Sequence, residues 1–141
     1  MRRWVLIVVL AVAMMPMTAI GGDSFKIIVH PGVDVTSLSK VKVKQIFLKK
    51  TTQWSDGQRI KPVDQKKSSA VRRAFTKAVH GRSVSAIKNY WQQRIFSGRG
   101  VPPLEKASDA QIVSYVLSHP GAIGYVSVDT PIGDAKVITI K

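Results

Sequence analysis

The spacing of apolar and polar positions predicts an α/β domain that opens with a buried strand. Phe25 to Val29 is a compact run of β-prone residues, and His30-Pro31-Gly32 ends it. Ser39 stands where it can cap a helix, because the apolar residues after it recur at helical spacing. Those residues are Val43, Ile46 and Phe47. Beyond this helix Asp56-Gly57 predicts a tight turn, and we expect Trp54 to fold back onto the core.

The segment from Arg59 to His80 predicts a strand, a polar turn and an amphipathic helix in immediate succession. The strand contains Ile60, Pro62 and Val63, and the polar residues 64–67 end it. Ser68 and Ser69 then precede the helix. Its apolar positions are Val71, Ala74, Phe75, Ala78 and Val79.

The start of this helix has two interpretations. A serine hydroxyl beside unpaired backbone N–H groups, at the positive end of the helix dipole, can hold an oxyanion. Every ordinary helix also needs a cap, so capping alone accounts for Ser68 and Ser69, with Arg72 and Arg73 solvated. The residues by themselves leave both interpretations open.

Two more helices are predicted in the second half of the chain. Gly81 ends the preceding helix, and Ser83 can cap the next, whose apolar positions are Ile87, Tyr90, Trp91 and Ile95. Residues 97–103 are rich in glycine and proline and predict a surface loop. Ser108 or Asp109 then caps a helix that ends before Pro120. We expect this helix to bury Ile112, Val113, Val116 and Leu117.

The chain ends with two predicted strands, Ala122 to Val128 and Lys136 to Ile140. They can form a hairpin around the turn residues 130–134, whereas strands joined through helices should include parallel neighbours. The order β, α, β, α, α, α, β, β therefore predicts an α/β sheet with helices packed on it.

The N-terminus has the layout of a secretory signal peptide. Arg2-Arg3 precede an apolar run from Trp4 to Met15, and small residues follow. We expect cleavage near Gly21-Gly22, which gives a signal peptide at residues 1–22 and one domain at residues 23–141. An uncleaved anchor is the alternative. Cleavage would place the domain in the periplasm.

The chain is strongly basic. Its 22 Lys and Arg against 8 Asp and Glu give a formal net charge of +14, which favours attraction to anions, acidic proteins or lipid head groups. The basic residues are dispersed and the few aromatics have core-like spacing, so nucleic-acid binding is disfavoured. The chain has no cysteine, and stability must come from the core.

No pattern of catalytic or metal-binding residues is present in the sequence. His30, His80 and His119 each lie beside a Gly or Pro stop signal, far from one another in sequence. Zinc needs several convergent ligands, and a hydrolase needs a nucleophile with a base and a third, orienting group. The sequence therefore predicts no metal, no cofactor and no enzyme activity.

Three segments resemble one family in sequence and in order. Ser37-Leu38-Ser39 leading to Gln45-Ile46-Phe47 and Thr52-Gln53-Trp54 resembles a segment of the phosphate-binding proteins of ABC transporters. Val63 to Phe75 falls where that family has a Gly-Ser-Gly-Thr-Arg turn at a helix start. Residues 120–126, Pro-Gly-Ala-Ile-Gly-Tyr-Val, are similar to its PGAIGYV segment. The resemblance implies a single periplasmic-binding-protein-like lobe, an α/β domain with a mixed, mainly parallel sheet flanked by helices.

The resemblance also implies a ligand site at the helix start. Ser69 aligns with the family's ligand-binding serine and Arg72 with the arginine of its turn, while Gln65 stands near an expected basic residue. Ser68, Ala70 and Val71 depart from the Gly, Gly and Thr of that turn, so two glycines and a hydroxyl of the family's pattern are replaced. Phosphate or another oxyanion would be held by Ser68, Ser69, Arg72 and Gln65.

Two functions follow from the sequence. The first is an exported, non-catalytic solute-binding protein linked to phosphate ABC transport. The second is a periplasmic interaction protein that kept the fold, lost tight ligand binding and uses its basic surface against an acidic partner, membrane face or polymer. A single lobe could be completed by a second copy, as a homodimer, or by a membrane transporter or signalling partner.

Overall fold

The computed structural model describes residues 25–141, and the predicted signal peptide lies outside this range. Its strands are β1 (Phe25–Val29), β2 (Ser37–Leu38), β3 (Lys61–Gln65), β4 (Leu104–Lys106), β5 (Ala122–Ser127) and β6 (Lys136–Ile140). Its helices are α1 (Lys40–Phe47), α2 (Ala70–Phe75), α3 (Val84–Phe96) and α4 (Asp109–Ser118). A π-helical turn, Thr76–His80, continues α2.

All six strands belong to one mixed sheet in the order β2-β6-β1-β5-β3-β4. β1 is antiparallel to both β5 and β6, while the β2–β6, β3–β5 and β3–β4 pairs are parallel. Three of the five pairings are parallel, which confirms the mixed α/β fold and the parallel neighbours expected of strands joined through helices.

The predicted hairpin of the last two strands is wrong, because β1 lies between β5 and β6. Ile28 pairs with Gly124 of β5 and with Val137 of β6. β1 carries buried apolar residues on both faces, so its most favourable place is the middle of the sheet with a partner on each side. After β5 the chain therefore crosses over β1, and β6 pairs with the side of β1 opposite to β5.

Helices cover both faces of the sheet. Alternate residues of β1 point to opposite faces: Ile27 and Val29 join the core under α1 and α2, and Ile28 joins the core under α4. The larger core contains Phe47 of α1 and Phe75 of α2. The smaller core contains Ile112 and Val116 of α4. Trp54 is buried in the larger core, as its position after α1 predicted.

Each of the four α-helices begins at a serine cap. Ser39, Ser69, Ser83 and Ser108 each accept a backbone N–H of the first turn at 3.1–3.2 Å. The predicted caps are thereby confirmed, with Ser108 rather than Asp109 capping α4. None of the helices described is long and apolar enough to cross a bilayer.

Several predicted details of burial and strand number are wrong. Ile95 of α3 is 51% exposed, because the buried side chains of α3 are Ile87 and Trp91 and Ile95 lies outside the face that they form. Val113 and Leu117 of α4 are only half-buried. The short strands β2 and β4 were not predicted, since two or three residues are too few to show an alternating pattern.

Candidate functional site

The strand before the predicted ligand turn is longer than its apolar residues indicated. Asp64 and Gln65 continue β3, where they pair with Glu105 and Lys106 of β4. Both side chains are buried, with Asp64 6% and Gln65 2% exposed. The prediction that Asp64 ends the strand is therefore wrong, because hydrogen bonds with Tyr125 make these polar positions tolerable inside the protein: its hydroxyl donates to Asp64 and accepts from the N–H of Gln65. The turn proper contains residues 66–69.

Gln65 is fully engaged in hydrogen bonds within the protein. Its Nε2 donates to the carbonyl oxygen of Tyr125 at 3.1 Å and to Oδ1 of Asp109, and its Oε1 accepts from Oγ of Ser69 at 3.1 Å. Its backbone N–H donates to the Tyr125 hydroxyl at 3.2 Å. Gln65 therefore ties together β3, β5, α4 and the start of α2.

Arg72 is buried, with 4% of its surface exposed. Its Nη1 donates to the carbonyl oxygen of Gln65 at 2.6 Å and lies 3.5 Å from Oε1 of Glu105. Its Nε lies 3.7 Å from Oδ1 of Asp64. The alternative in which Arg72 is solvated is wrong, because α2 directs this residue back toward the ends of β3 and β4.

Two carboxyl groups of this network, those of Asp64 and Asp109, have shifted pKa values. Burial raises the pKa of Asp64 to about 6, against the opposing effects of the Arg72 charge and a 2.6 Å hydrogen bond from the Tyr125 hydroxyl. Burial also acts to raise the pKa of Asp109, but hydrogen bonds from Thr130, Gln65 and the N–H of Ser127 outweigh it, so this pKa is lowered. Asp109 is thus held as an anion that orients the amide of Gln65.

The structure brings three of the four predicted ligand residues together. Ser69 connects Gln65 and Arg72, because its hydroxyl donates to Oε1 of Gln65 and accepts the N–H of Arg72. Ser68 stands apart from this network and is exposed at the surface of the turn. Its carbonyl oxygen accepts a hydrogen bond from Nη1 of Arg73 at 2.9 Å.

A groove of about 470 Å³ lies beside the turn and contains basic side chains that sequence analysis did not assign. We call it the basic groove, and it is lined by Lys67, Arg73, Ser83, Val84, Ser85 and Lys88. Among the residues described, no carboxylate lines it. Lys67 could have been found from its place in the turn. Lys88 could not, since the sequence does not say how α3 sits against α2.

The described residues contain no group of three His, Asp or Glu side chains that could hold a metal ion. What the arrangement can do chemically is attract an anion to the α2 start. The first-turn N–H groups of a helix have no acceptor within it, and two cations of the basic groove, Lys67 and Arg73, flank the α2 start in sequence. Hydrogen bonds among Gln65, Ser69 and Arg72 on its buried side fix the conformation of the turn.

Known proteins resemble this fold. A family model described as a PBP superfamily domain matches residues 17–139. A solved structure described as a phosphate ABC transporter substrate-binding protein with bound phosphate, from Clostridium perfringens, is similar with a TM-score of 0.66 and 21% identity. The match covers 83% of this chain and 44% of that one.

Two further structures are similar over a comparable part of the chain. An ABC-type phosphate transport receptor from Vibrio cholerae has a TM-score of 0.65 and 22% identity, over 82% of this chain and 45% of that one. PstS from Borrelia burgdorferi has a TM-score of 0.59 and 14% identity, over 84% and 47%. The chain thus spans less than half the length of these proteins. No curated protein sequence matches it.

Proposed function

The chain belongs to the PBP superfamily, and from this premise we propose that it is an exported, non-catalytic solute-binding protein linked to phosphate ABC transport. It would hold phosphate or a similar oxyanion at the start of α2, in the turn from Gln65 to Arg72. The similar proteins from Clostridium perfringens and Vibrio cholerae are described by their phosphate ligand and by phosphate transport. Export rests on the signal-peptide layout of residues 1–22.

The observation that carries the proposal is the convergence of unpaired donors on the exposed side of this turn. The Ser68 hydroxyl and the N–H groups of residues 70–71 would contact the anion, and the helix dipole would favour its charge. The N–H of Arg72 is not among these donors, because the Ser69 hydroxyl already accepts it. Lys67 and Arg73 of the basic groove would supply the balancing positive charge. The role of Gln65, Ser69 and Arg72 would be indirect, because their hydrogen bonds on the buried side fix the shape of the turn.

The binding site formed by this chain would be half of a cleft. A buried dianion needs nearly all its oxygens satisfied, and the turn offers donors from one side only. The second side would come from another copy of the chain or from a membrane transporter or signalling protein. We therefore expect weak binding by the isolated chain and tighter binding in the assembled complex.

Calorimetric titration with phosphate and then sulfate, at near-physiological salt, tests this function. Saturable binding of phosphate, weakened by Ser68→Ala and by Lys67→Gln, would support a site on the exposed side of the turn. Lys40→Gln is the matched control, because it removes the same charge from the exposed face of α1. Absence of heat with either anion from a folded sample would contradict the proposal for the isolated chain.

A second candidate function is that of an interaction protein that kept the fold without tight ligand binding. It is favoured by the state of Arg72, whose charge is already balanced by Asp64 and Glu105. In this case the basic surface would bind an acidic protein, membrane face or polymer. Such binding would weaken steeply with salt and would be indifferent to Ser68→Ala, which separates the two functions.

A further inference from the structure

A second pocket with convergent basic side chains lies at the other end of β3. It is lined by Lys49, Thr51, Arg59, Lys61, Leu104 and Tyr115 among others, and its volume is about 220 Å³. We call it the basic pocket. β3 runs from Lys61 at this pocket to Gln65 at the α2 turn, a distance of about 13 Å at the usual rise per residue of a strand. The two places are therefore separate.

Among residues 25–141, no carboxylate forms an ion pair with the cations of the basic pocket. The ion pairs found between residues 25 and 141 join Lys67 and Arg72 to Asp64 and Glu105. None of them involves the three cations of the pocket, Lys49, Arg59 and Lys61. Like charges brought together without a counter-ion repel one another. A bound anion would therefore relieve the electrostatic repulsion between these cations in the free protein.

Lys49 is held in a backbone conformation that normally belongs to glycine. Its φ is +57°, and it is the only residue other than glycine with a positive φ in the part of the chain described. It closes α1, because the N–H of Lys49 donates to Ile46 and that of Lys50 to Gln45. A lysine here has a steric cost that glycine would avoid. Unusual backbone conformations of this kind cluster at functional sites.

The Lys49 side chain lies at the exposed rim of the pocket, and its ammonium group contacts the loop that follows α3. Its Nζ lies 3.4 Å from the carbonyl oxygen of Pro102. Partial burial, and secondly the charge of Arg59, lower its pKa. The Lys49 ammonium group is thus close to the Arg59 guanidinium, and the two positive charges together would attract an anion.

The opposite wall of the basic pocket is rigid. The N–H of Ile60 donates to Thr52 at 2.9 Å, and the N–H of Lys61 donates to Gly121 at 3.1 Å. Gly121 is so close that a Cβ added to it would meet the Arg59 carbonyl oxygen at 2.2 Å. The backbone that carries both cations is therefore fixed before any ligand arrives, which reduces the entropy lost on binding.

We propose that the basic pocket binds a small phosphate monoester. The phosphoryl oxygens would lie among Lys49, Arg59 and Lys61, and the organic part would lie against the apolar wall formed by Leu104 and Tyr115. The volume is below the range of about 300–1,000 Å³ that holds drug-sized ligands, which favours a small ligand. Such a group can be a free metabolite or the head group of a phosphatidic acid lipid.

Titration with glycerol phosphate, followed by NMR chemical shifts of backbone amides, tests the proposal. We expect shifts at residues 49–52 and 59–61, and an affinity loss of at least about tenfold in the double variant Arg59→Gln with Lys61→Gln, since two charge-assisted contacts are removed. The control is Lys40→Gln with Lys42→Gln, which changes the net charge equally on α1 outside the pocket. It should change the affinity less than about twofold.

Vesicles of phosphatidylcholine containing phosphatidic acid distinguish the two sources of the ligand. Vesicle binding that the Arg59, Lys61 double variant loses, without binding of free glycerol phosphate, would assign the lipid head group. If the double variant fails to fold, Lys49→Gly replaces it, because glycine suits the backbone at this position and still removes a cation. Shifts confined to residues 66–71 and unchanged affinity in these variants would overturn the basic pocket while leaving the α2 site intact.

Discussion

Arg72 donates a hydrogen bond from Nη1 to the backbone carbonyl oxygen of Gln65 at 2.6 Å. This contact joins the last residue of β3 to the first turn of α2 across the turn that separates them. It places a buried guanidinium directly behind the proposed anion site. The same guanidinium also lies near Asp64 and Glu105, so its positive charge stabilises the fold by pairing with these carboxylates.

Replacement of Arg72 should therefore destabilise the protein strongly. Arg72→Gln would leave Asp64 buried without its cation, and breaking a buried ion pair in this way costs about 3–5 kcal/mol. The neighbouring Arg73 is exposed, and Arg73→Gln should change the free energy of unfolding by about 0.5 kcal/mol or less. Urea unfolding of both variants measures the difference, and equal effects would show that Arg72 has no special structural role.

Ser69 should contribute more to stability than an ordinary helix cap. Ser69→Ala removes the cap of α2, typically about 1 kcal/mol, and also the hydrogen bond to Oε1 of Gln65. Ser83→Ala is the matched control, because Ser83 caps α3 through the N–H of Ala86 at a similar distance. We expect the Ser69 variant to lose about 1 kcal/mol more than the Ser83 variant in urea unfolding. Equal losses would mean that the Gln65 contact adds nothing.

The fold was predictable where the sequence carries a local signal. Four serine caps, the buried face of α1 and the strand β1 follow from periodicity and from capping chemistry, which involve residues close in the chain. The place of β6 was not predictable in this way. It depends on which strand takes the middle of the sheet, and that is decided by burial of β1 against residues more than a hundred positions away.

The candidate site was predictable in its location but not in the roles of its residues. The serines and the helix start are visible in the sequence. The burial of Asp64 and Gln65 is not, because it depends on Tyr125 and Asp109, which come from β5 and α4. For the same reason the sequence alone predicts that Arg72 is a surface residue, because its partners Asp64 and Glu105 are known only from the structure.

The glycines of residues 120–126 have specific packing roles. A Cβ on Gly124 would lie 2.8 Å from Cγ2 of Ile112 and 2.9 Å from Cγ1 of Val63. Gly124→Ala should therefore push α4 away from the sheet and cost about 1–3 kcal/mol. Gly32→Ala is the control, because Gly32 is exposed and its nearest neighbour is the His30 side chain at 3.2 Å. Thermal unfolding that ranked Gly32→Ala as the more harmful would contradict this packing.

Asp64 and His80 should give opposite dependences of stability on pH. Burial raises the pKa of Asp64 from 3.8 to about 6, so the folded state binds more protons and the free energy of unfolding falls as pH rises through this window. Burial, and then the charges of Lys44, Arg72 and Arg82, lower the pKa of His80 from 6.5 to about 4. Here the unfolded state binds more protons, and the free energy of unfolding rises with pH.

The two effects, each about 3 kcal/mol, should nearly cancel between about pH 4 and 6 in the unmodified protein. Asp64→Asn would remove the falling contribution and leave a free energy of unfolding that rises with pH. His80→Gln would leave one that falls. Urea unfolding at several pH values measures the slopes, which are independent of any constant loss of stability in either variant. A flat profile for Asp64→Asn would contradict the assigned pKa direction of His80.

Lys49→Gly should stabilise the protein while weakening the basic pocket. Glycine adopts a φ of +57° without the Cβ contact that costs an L-residue about 1 kcal/mol, and the hydrogen bonds that close α1 use only backbone atoms. The substitution also removes an ammonium group from beside Arg59, which relieves repulsion in the free protein. We expect a rise of about 1 kcal/mol in the free energy of unfolding, with weaker binding of glycerol phosphate.

Lys50→Gly is the control, because Lys50 is not one of the pocket-lining residues and its φ is not positive, so glycine there should only destabilise. A Lys49→Gly variant that gained stability and kept its affinity would show that the lysine has no part in the pocket.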